Sequence, residues 1–255
     1  TLTMFTITPI VISSFISMMM FLIVTMIAWR RRNGASGYYF AIMAACQTFW
    51  TAMVTLGYAA IPISLKVFFA TLDAWGYMSA NPFMLLFALS FTGYEHIAQK
   101  KWVKAVAAFS AISNILLVTT NSWHGSYWKN FTPQADNVVL FEHGPAFVYT
   151  VITGYAFTLS VLVISSVGAF RGSNIMKRQA RWVVAALLTL IFLNVAYHTD
   201  AARMPGVDWS AATSSLFGLI LLWALYGDKL LDISPIARNK LINNLSDGMI
   251  ALDLK

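Results

Sequence analysis

Seven apolar runs, most of them long enough to cross a lipid bilayer, constrain this sequence more than any other feature. A transmembrane helix needs about 20 consecutive, mostly apolar residues. The runs therefore predict an all-α membrane protein, a seven-transmembrane helix bundle. They cover residues 9–29, 38–60, 66–94, 102–120, 146–170, 182–200 and 210–226.

The composition agrees with a membrane protein and argues against other classes. Only 11% of the 255 residues are charged, whereas soluble domains carry about 25%. The net charge of +7 does not predict a nucleic-acid partner, because the charges lie in the connections beside the apolar runs. The single cysteine, Cys46, excludes an internal disulfide and a cysteine metal cluster.

Lysines and arginines are concentrated in every second connection, and this bias predicts the orientation. Of the 17, all except Lys66, Lys129 and Arg203 lie on the inner side if the C-terminus is cytoplasmic. The first run is too long for a signal peptide and is followed by the stop-transfer flank Arg30–Arg32. We therefore expect the N-terminus outside and the C-terminus in the cytoplasm.

Polar and aromatic residues gather in the outer halves of the predicted helices, which indicates a pocket open to the outside. Polar groups facing lipid are costly, so such residues usually face the bundle interior. Asp73 is the most informative, because it is ionisable and could pair with His198 or Lys66, or bind a cationic or hydroxyl-bearing ligand. The candidate ligand-binding residues are Asp73, Trp75, Tyr77, Trp50, Gln47, Tyr149, Thr153, Asn194, Tyr197 and His198.

The same residues also fit structural roles. Serine, threonine and asparagine often only hydrogen-bond between helices, each contributing about 0.6 kcal/mol, and tryptophan and tyrosine near helix ends often form an interfacial belt. The outer loop at residues 121–145 is long for a connection between packed helices. We expect it to fold over the outer mouth of the bundle, with a short hairpin around Asn137–His143.

Several other kinds of membrane protein are disfavoured. Retinal proteins need a lysine in the seventh helix for the Schiff base, and residues 210–226 contain none. A haem held by paired histidines is not expected, because only His198 lies near a suitable depth. A metal site from His124, His143 and His198 has no recognised spacing, so the sequence predicts no metal, no cofactor and no catalytic residue in this chain.

The residues after the seventh run are polar, basic and amphipathic, unlike the rest of the chain. Ser234 and Pro235 are typical of a helix start, and Leu241 and Leu245 then share one face of a helix that ends near Leu245. A turn signal and a strand-like run, "SDGMIALDL", follow it. Because a strand cannot stand alone, we expect the natural protein to continue beyond this point.

Four stretches resemble one known family. The final run, "LLDISPIARNKLINNLSDGMIALDLK", resembles the junction between a seven-helix membrane region and a PAS domain. The stretches "TTNSWHGSYW", "HGPAFVYTVITGYAF" and "KRQAR" are similar to the same family, in the same order and spacing. It is the seven-transmembrane N-terminal sensor region of histidine kinases, which also precedes diguanylate cyclases.

The resemblance implies a sensor input domain in the cytoplasmic (inner) membrane of a bacterium or archaeon. We expect a sensor domain at residues 1–227, a signalling helix at 228–245 and the start of a PAS-like domain at 246–255. The function predicted is binding of a small molecule, of unknown identity, in the outer pocket. The seventh helix would relay the change through Pro235, Leu241 and Leu245 to a kinase that acts on a response regulator.

The sequence leaves alternatives to this prediction. The lipid bilayer surrounds the seven-helix region, and the cytoplasmic signalling helix would pair in a homodimer, although a position on the membrane surface also fits its apolar face. The output could be a diguanylate cyclase. The chain could also be a small-solute transporter or a purely structural anchor.

Overall fold

A computed structural model describes residues 4–198, 209–228 and 230–231. The described part is predominantly helical, with a β-hairpin between the sixth and seventh helices in chain order. The elements are α1 (Pro9–Arg30), α2 (Gly34–Ala59), α3 (Ile63–Phe91), α4 (Glu95–Ala98), α5 (Lys101–Thr119), α6 (Asn121–His124), β1 (Trp128–Pro133), β2 (Val139–His143), α7 (Phe147–Arg171), α8 (Asn174–His198) and α9 (Trp209–Tyr226).

Each predicted apolar run corresponds to one long helix: α1, α2, α3, α5, α7, α8 and α9. By length and composition, α1, α2, α5 and α7 can cross a membrane, and Ser214–Tyr226 of α9 is a shorter apolar helix. The protein is therefore a multi-pass, helical membrane protein. The third helix begins at Ile63, three residues before the predicted start, because Pro62 takes an extended conformation and ends the α2–α3 connection there.

Six helices pack side by side around the bundle in the order α1, α2, α3, α7, α8, α9, and α9 returns to α1. The α5 helix packs mainly on α3, outside this ring. The main core contains Phe40 and Phe87, whose rings meet edge to face at 5.0 Å, and Phe21 and Phe217, whose centroids are 5.8 Å apart. The core residues of α2 and α3 lie in the helix halves away from their shared corner at Ala60.

Close packing of α2 against α3 fixes the register of these two helices. Gly76 is buried, and a Cβ atom built on it would lie 2.7 Å from the backbone nitrogen of Trp50 and 2.8 Å from the carbonyl oxygen of Cys46. Only a residue without a side chain allows this approach. The contact brings Trp50 beside Tyr77, with ring centroids 6.5 Å apart.

The predicted hairpin is confirmed. Strands β1 and β2 pair antiparallel, with Phe131 opposite Phe141. The turn carries Asp136 and Asn137 with φ of 56° and 61°, a left-handed conformation that aspartate and asparagine tolerate better than most residues. The segment before α1 also contacts the α2–α3 corner. Phe5 forms an antiparallel bridge with Ala60, and the amide of Thr6 donates to the carbonyl of Ala59 at 2.8 Å.

Candidate ligand-binding cavity

A cavity of about 310 Å³ lies between α2, α3, α7 and α8 and beneath the hairpin. One face of α3 forms a complete wall of it, with Lys66, Ala70, Asp73, Tyr77 and Asn81 in order. These residues are spaced three or four apart, so they lie on one side of the helix. The wall thus runs from a lysine at the outer end of α3 to an asparagine near its middle.

The other helices add apolar, aromatic and amide groups to the cavity. The α2 wall includes Gln47 and Trp50, and the opposite wall includes Tyr155 of α7 and Asn194 of α8. The hydroxyl of Tyr155 donates to Oδ1 of Asn194 at 2.7 Å and so joins α7 to α8. Such a hydrogen bond orients both side chains at the cavity wall.

A buried polar network lies behind the cavity, between α5 and α7. The hydroxyl of Thr150 donates to Oδ1 of Asn114 at 2.6 Å, and Nδ2 of Asn114 donates to Oγ1 of Thr153 at 3.2 Å. Asn114 and Thr153 line a separate void of about 10 Å³. This space is the size of one water molecule, and the network joins α5 to α7 beside the cavity.

Hairpin residues form the outer cover of the cavity, as the sequence predicts for the loop at 121–145. Trp128 and Phe141 line it and lie 5.2 Å apart between ring centroids. The hydroxyl groups of Tyr127 and Tyr77 are 3.1 Å apart and share a hydrogen bond. Burial raises the pKa of Tyr127 to about 12, so its hydroxyl remains protonated at neutral pH.

Asn121 holds the start of β1 in place. Its Oδ1 accepts hydrogen bonds from the amides of Tyr127 and Trp128 at 2.9 and 3.1 Å. Its Nδ2 donates to the carbonyl oxygen of Trp128 at 3.1 Å. One asparagine therefore positions both aromatic residues over the cavity.

The hairpin turn is fixed to the α2–α3 corner from two directions. The ammonium of Lys66 donates to the carbonyl oxygens of Asn137 at 2.7 Å and Gly57 at 3.2 Å. In return, Nδ2 of Asn137 donates to the carbonyl oxygens of Tyr58 and Ala60 at 2.9 and 3.1 Å. These four bonds hold the hairpin turn against the α2–α3 corner.

One polar atom of the cavity wall lacks a partner. Gln47 is 6% exposed, and its Oε1 atom has no hydrogen-bond partner in the described part of the chain. A buried acceptor without a donor costs about 1–3 kcal/mol.

The structure places five of the ten candidate residues on the cavity wall: Gln47, Trp50, Asp73, Tyr77 and Asn194. Thr153 lies in the neighbouring polar network. The backbones of Tyr197 and His198 belong to α8, but their side chains are outside the described part of the structure.

Two candidate residues, Trp75 and Tyr149, are not among the residues that line the cavity. Trp75 is 45% exposed, and its indole nitrogen donates to Oγ1 of Thr119 at 3.1 Å. Tyr149 is 38% exposed and shares a hydrogen bond of 2.8 Å with Ser113. Their depth along the helices matches the pocket, but their position around the helix axis does not, since Trp75 lies two residues from both Asp73 and Tyr77.

The candidate list from the sequence lacks most of the cover and several wall residues. Tyr127, Trp128 and Phe141 of the cover are absent from it, and so are Asn81 of α3 and Tyr155 of α7. The spacing of Lys66, Asp73 and Tyr77 on one helical face was the signal that could have extended the wall to Asn81.

The C-terminal end of α9 has its own polar contacts. The carboxylate of Asp228 pairs with Nε of Arg178 at 2.6 Å and accepts a hydrogen bond from the indole of Trp182. Nε2 of Gln179 donates to the backbone carbonyl of Asp228 at 2.8 Å. Arg31 donates to the carbonyl of Leu225 at 3.2 Å. The end of α9 is therefore attached both to α8 and to the α1–α2 connection.

The signalling helix expected after this point, with Pro235, Leu241 and Leu245, lies outside the described residues.

Comparison with curated proteins gives no match to this chain. The family described as the N-terminal 7TM region of histidine kinase matches residues 13–235. Because the match covers most of the sequence, the chain belongs to the family of N-terminal seven-transmembrane sensor regions of histidine kinases.

Proposed function

We propose that this chain is the input domain of a sensor histidine kinase and binds a small molecule in the cavity beneath the hairpin. In this proposal all seven long helices cross the cytoplasmic membrane of a bacterium or archaeon, with the N-terminus outside. Family membership supports the sensor role. The distribution of lysine and arginine supports the orientation.

The observation that carries the ligand-binding proposal is the combination of cavity and unpartnered acceptor. The cavity is large enough for a small organic molecule and is walled mainly by helices that continue into the bundle core. Gln47 lines this wall, and its Oε1 atom is buried without a hydrogen-bond partner among the described residues. Pockets of this kind, apolar with few placed polar groups, are typical of ligand sites.

The end of α9 is the proposed exit for the signal. A ligand shifts a conformational equilibrium only through its different affinities for the two states. The cavity touches α8 through Leu190, Ile191 and Asn194, and α8 holds Asp228 through Arg178, Gln179 and Trp182. A shift of α8 would therefore move the end of α9, and from there a homodimeric signalling helix, a PAS domain and a kinase.

Two other functions are alternatives to a histidine kinase input domain. An input domain of a diguanylate cyclase would use the same cavity and relay, and only the output would differ. A small-solute transporter would use the cavity as a transport site, and the hairpin anchored by Lys66 and Asn137 would then have to move for a solute to pass.

The test replaces residues 1–226 in the native protein with an unrelated membrane anchor and measures autophosphorylation in membranes. The input-domain proposal predicts that the protein still reaches the membrane but that its kinase activity no longer responds to the growth medium. Unchanged regulation would instead identify residues 1–226 as a structural anchor. Solute flux through liposomes that contain this chain alone would support the transporter.

A further inference from the structure

The cavity contains a buried positive charge that has no anionic partner among the described residues. Lys66 is 5% exposed and lines the cavity. The two hydrogen bonds of its ammonium go to the carbonyl oxygens of Gly57 and Asn137, and no described carboxylate forms an ion pair with it. Buried charges are normally paired with an opposite charge, because their desolvation is costly.

The ammonium also has donor capacity left. A protonated lysine carries three N–H groups, and two of them reach the carbonyl oxygens of the α2–α3 corner and the hairpin turn. The third is available to a molecule in the cavity that Lys66 lines. A carboxylate would supply both the missing acceptor and the missing counter-charge.

The unpartnered acceptor Gln47 lies on the same helix as the carbonyl oxygen of Gly57 that Lys66 contacts. Gln47 is ten residues before Gly57, which is about 15 Å along the helix axis. A ligand that reaches both side chains would span on the order of 10 Å. The rings of Trp50 and Tyr77 lie between these two ends.

Asp73 sets where a negative group can bind. It lines the same wall seven residues after Lys66, about 10 Å further into the bundle. Its carboxylate disfavours a second negative charge in the middle of the cavity. An anionic group is therefore confined to the outer end, at Lys66, and the inner end near Gln47 suits a neutral donor.

From this geometry we propose that the cavity binds a small aromatic or apolar carboxylic acid. Its carboxylate contacts Lys66, its body packs on Trp50 and Tyr77, and a hydroxyl or N–H group donates to Gln47. This inference rests on the proposed function, since it names the class of ligand for the same site.

The test uses four matched probes and the purified chain in nanodiscs. The probes are para-hydroxyphenylbutanoate, the corresponding alcohol, the corresponding amine, and phenylbutanoate without the hydroxyl. Affinities are measured by quenching of tryptophan fluorescence and confirmed by thermal stabilisation. We expect para-hydroxyphenylbutanoate to bind at least about tenfold more tightly than the alcohol and the amine, as a charged hydrogen bond implies.

Three variants test whether the preference for the carboxylate over the alcohol and the amine depends on the charge of Lys66. Lys66→Met removes the charge and should abolish the preference for the carboxylate, whereas Lys66→Arg retains it. Asn137→Gly is the matched control for the hairpin, because it removes the bonds to Tyr58 and Ala60 but keeps the carbonyl that Lys66 contacts and tolerates the positive φ. This control should keep the preference. Gln47→Leu should equalise the affinities of the probes with and without the hydroxyl.

Equal affinity for acid and alcohol, tighter binding of the amine, or no binding of any probe would overturn the inference. So would a carboxylate preference that survives in Lys66→Met. Binding of the alcohol or amine would leave the proposed sensor function standing. Unchanged regulation after the anchor replacement would refute that function, whichever probe binds.

Discussion

Removal of the Asn121 side chain should release the cover of the cavity. Asn121→Ala deletes three hydrogen bonds to the backbone of Tyr127 and Trp128, residues that are 1% and 8% exposed. Each such bond contributes about 1 kcal/mol, so the closed hairpin should lose about 3 kcal/mol. A loss of this size should accelerate amide exchange in β1 by about 100-fold.

Hydrogen exchange followed by mass spectrometry measures this opening directly. Asn121→Asp keeps the accepting oxygen and should give an intermediate rate. Asn130→Ala is the matched control, because Asn130 is exposed and donates one bond, to Glu142. The reasoning is refuted if Asn121→Ala changes exchange in β1 less than tenfold, or no more than Asn130→Ala does.

Three further predictions concern packing, the exit of α9 and pH. Gly76→Ala should destabilise the chain by about 1–3 kcal/mol, because its Cβ would meet backbone atoms at 2.7–2.8 Å. The Cβ of Gly57→Ala, the control, would meet only Phe69 Cβ at 3.5 Å. Thermal unfolding compares the two variants, and equal melting temperatures would contradict the packing argument. Asp228→Asn should increase exchange at the end of α9, since it loses the ion pair to α8, and unchanged exchange there would remove this contact from the relay. Tyr127 has a pKa raised from 10.0 to about 12, so its contribution to stability should be lost as pH rises from 10 through about 12, and Tyr127→Phe should flatten that part of the pH–stability curve.

The helices could be predicted because their signal is local. Each needs a continuous apolar run, and each run corresponds to a helix such as α1 or α7. The hairpin could also be predicted, because Asn137 begins a short β-prone stretch after turn-forming residues. These features depend on neighbours in sequence, which the sequence displays directly.

The cavity was only partly predictable, because depth along a helix does not determine which face a residue occupies. Asp73 and Tyr77 are four residues apart and share the cavity wall. Trp75 between them is directed elsewhere, toward Thr119. A rule based on helical spacing would have separated these residues, whereas a rule based on distance from the outer surface could not.

The anchoring of the cover could not be read from the sequence. Lys66 and Asn137 are 71 residues apart, and their contact depends on how the hairpin settles on the α2–α3 corner. Asn121 acts through backbone atoms, so no pattern of side-chain types marks its role. Such long-range contacts follow from the packing of the whole bundle.

The most direct measurement of the central claim compares two leucine substitutions on α7 in the native receptor. Gly154 lines the cavity, and the nearest atom to a Cβ built on it is Nδ2 of Asn81 at 3.8 Å, so Gly154→Leu places its side chain in the cavity. Ala156 is exposed on the same helix, and Ala156→Leu is the control. The account predicts that Gly154→Leu changes autophosphorylation in membranes at least about fivefold, in either direction, as is typical of coupling between sites, whereas the control leaves it unchanged. An autophosphorylation rate in Gly154→Leu equal to that of the wild type would contradict the claim that occupancy of this cavity controls the kinase.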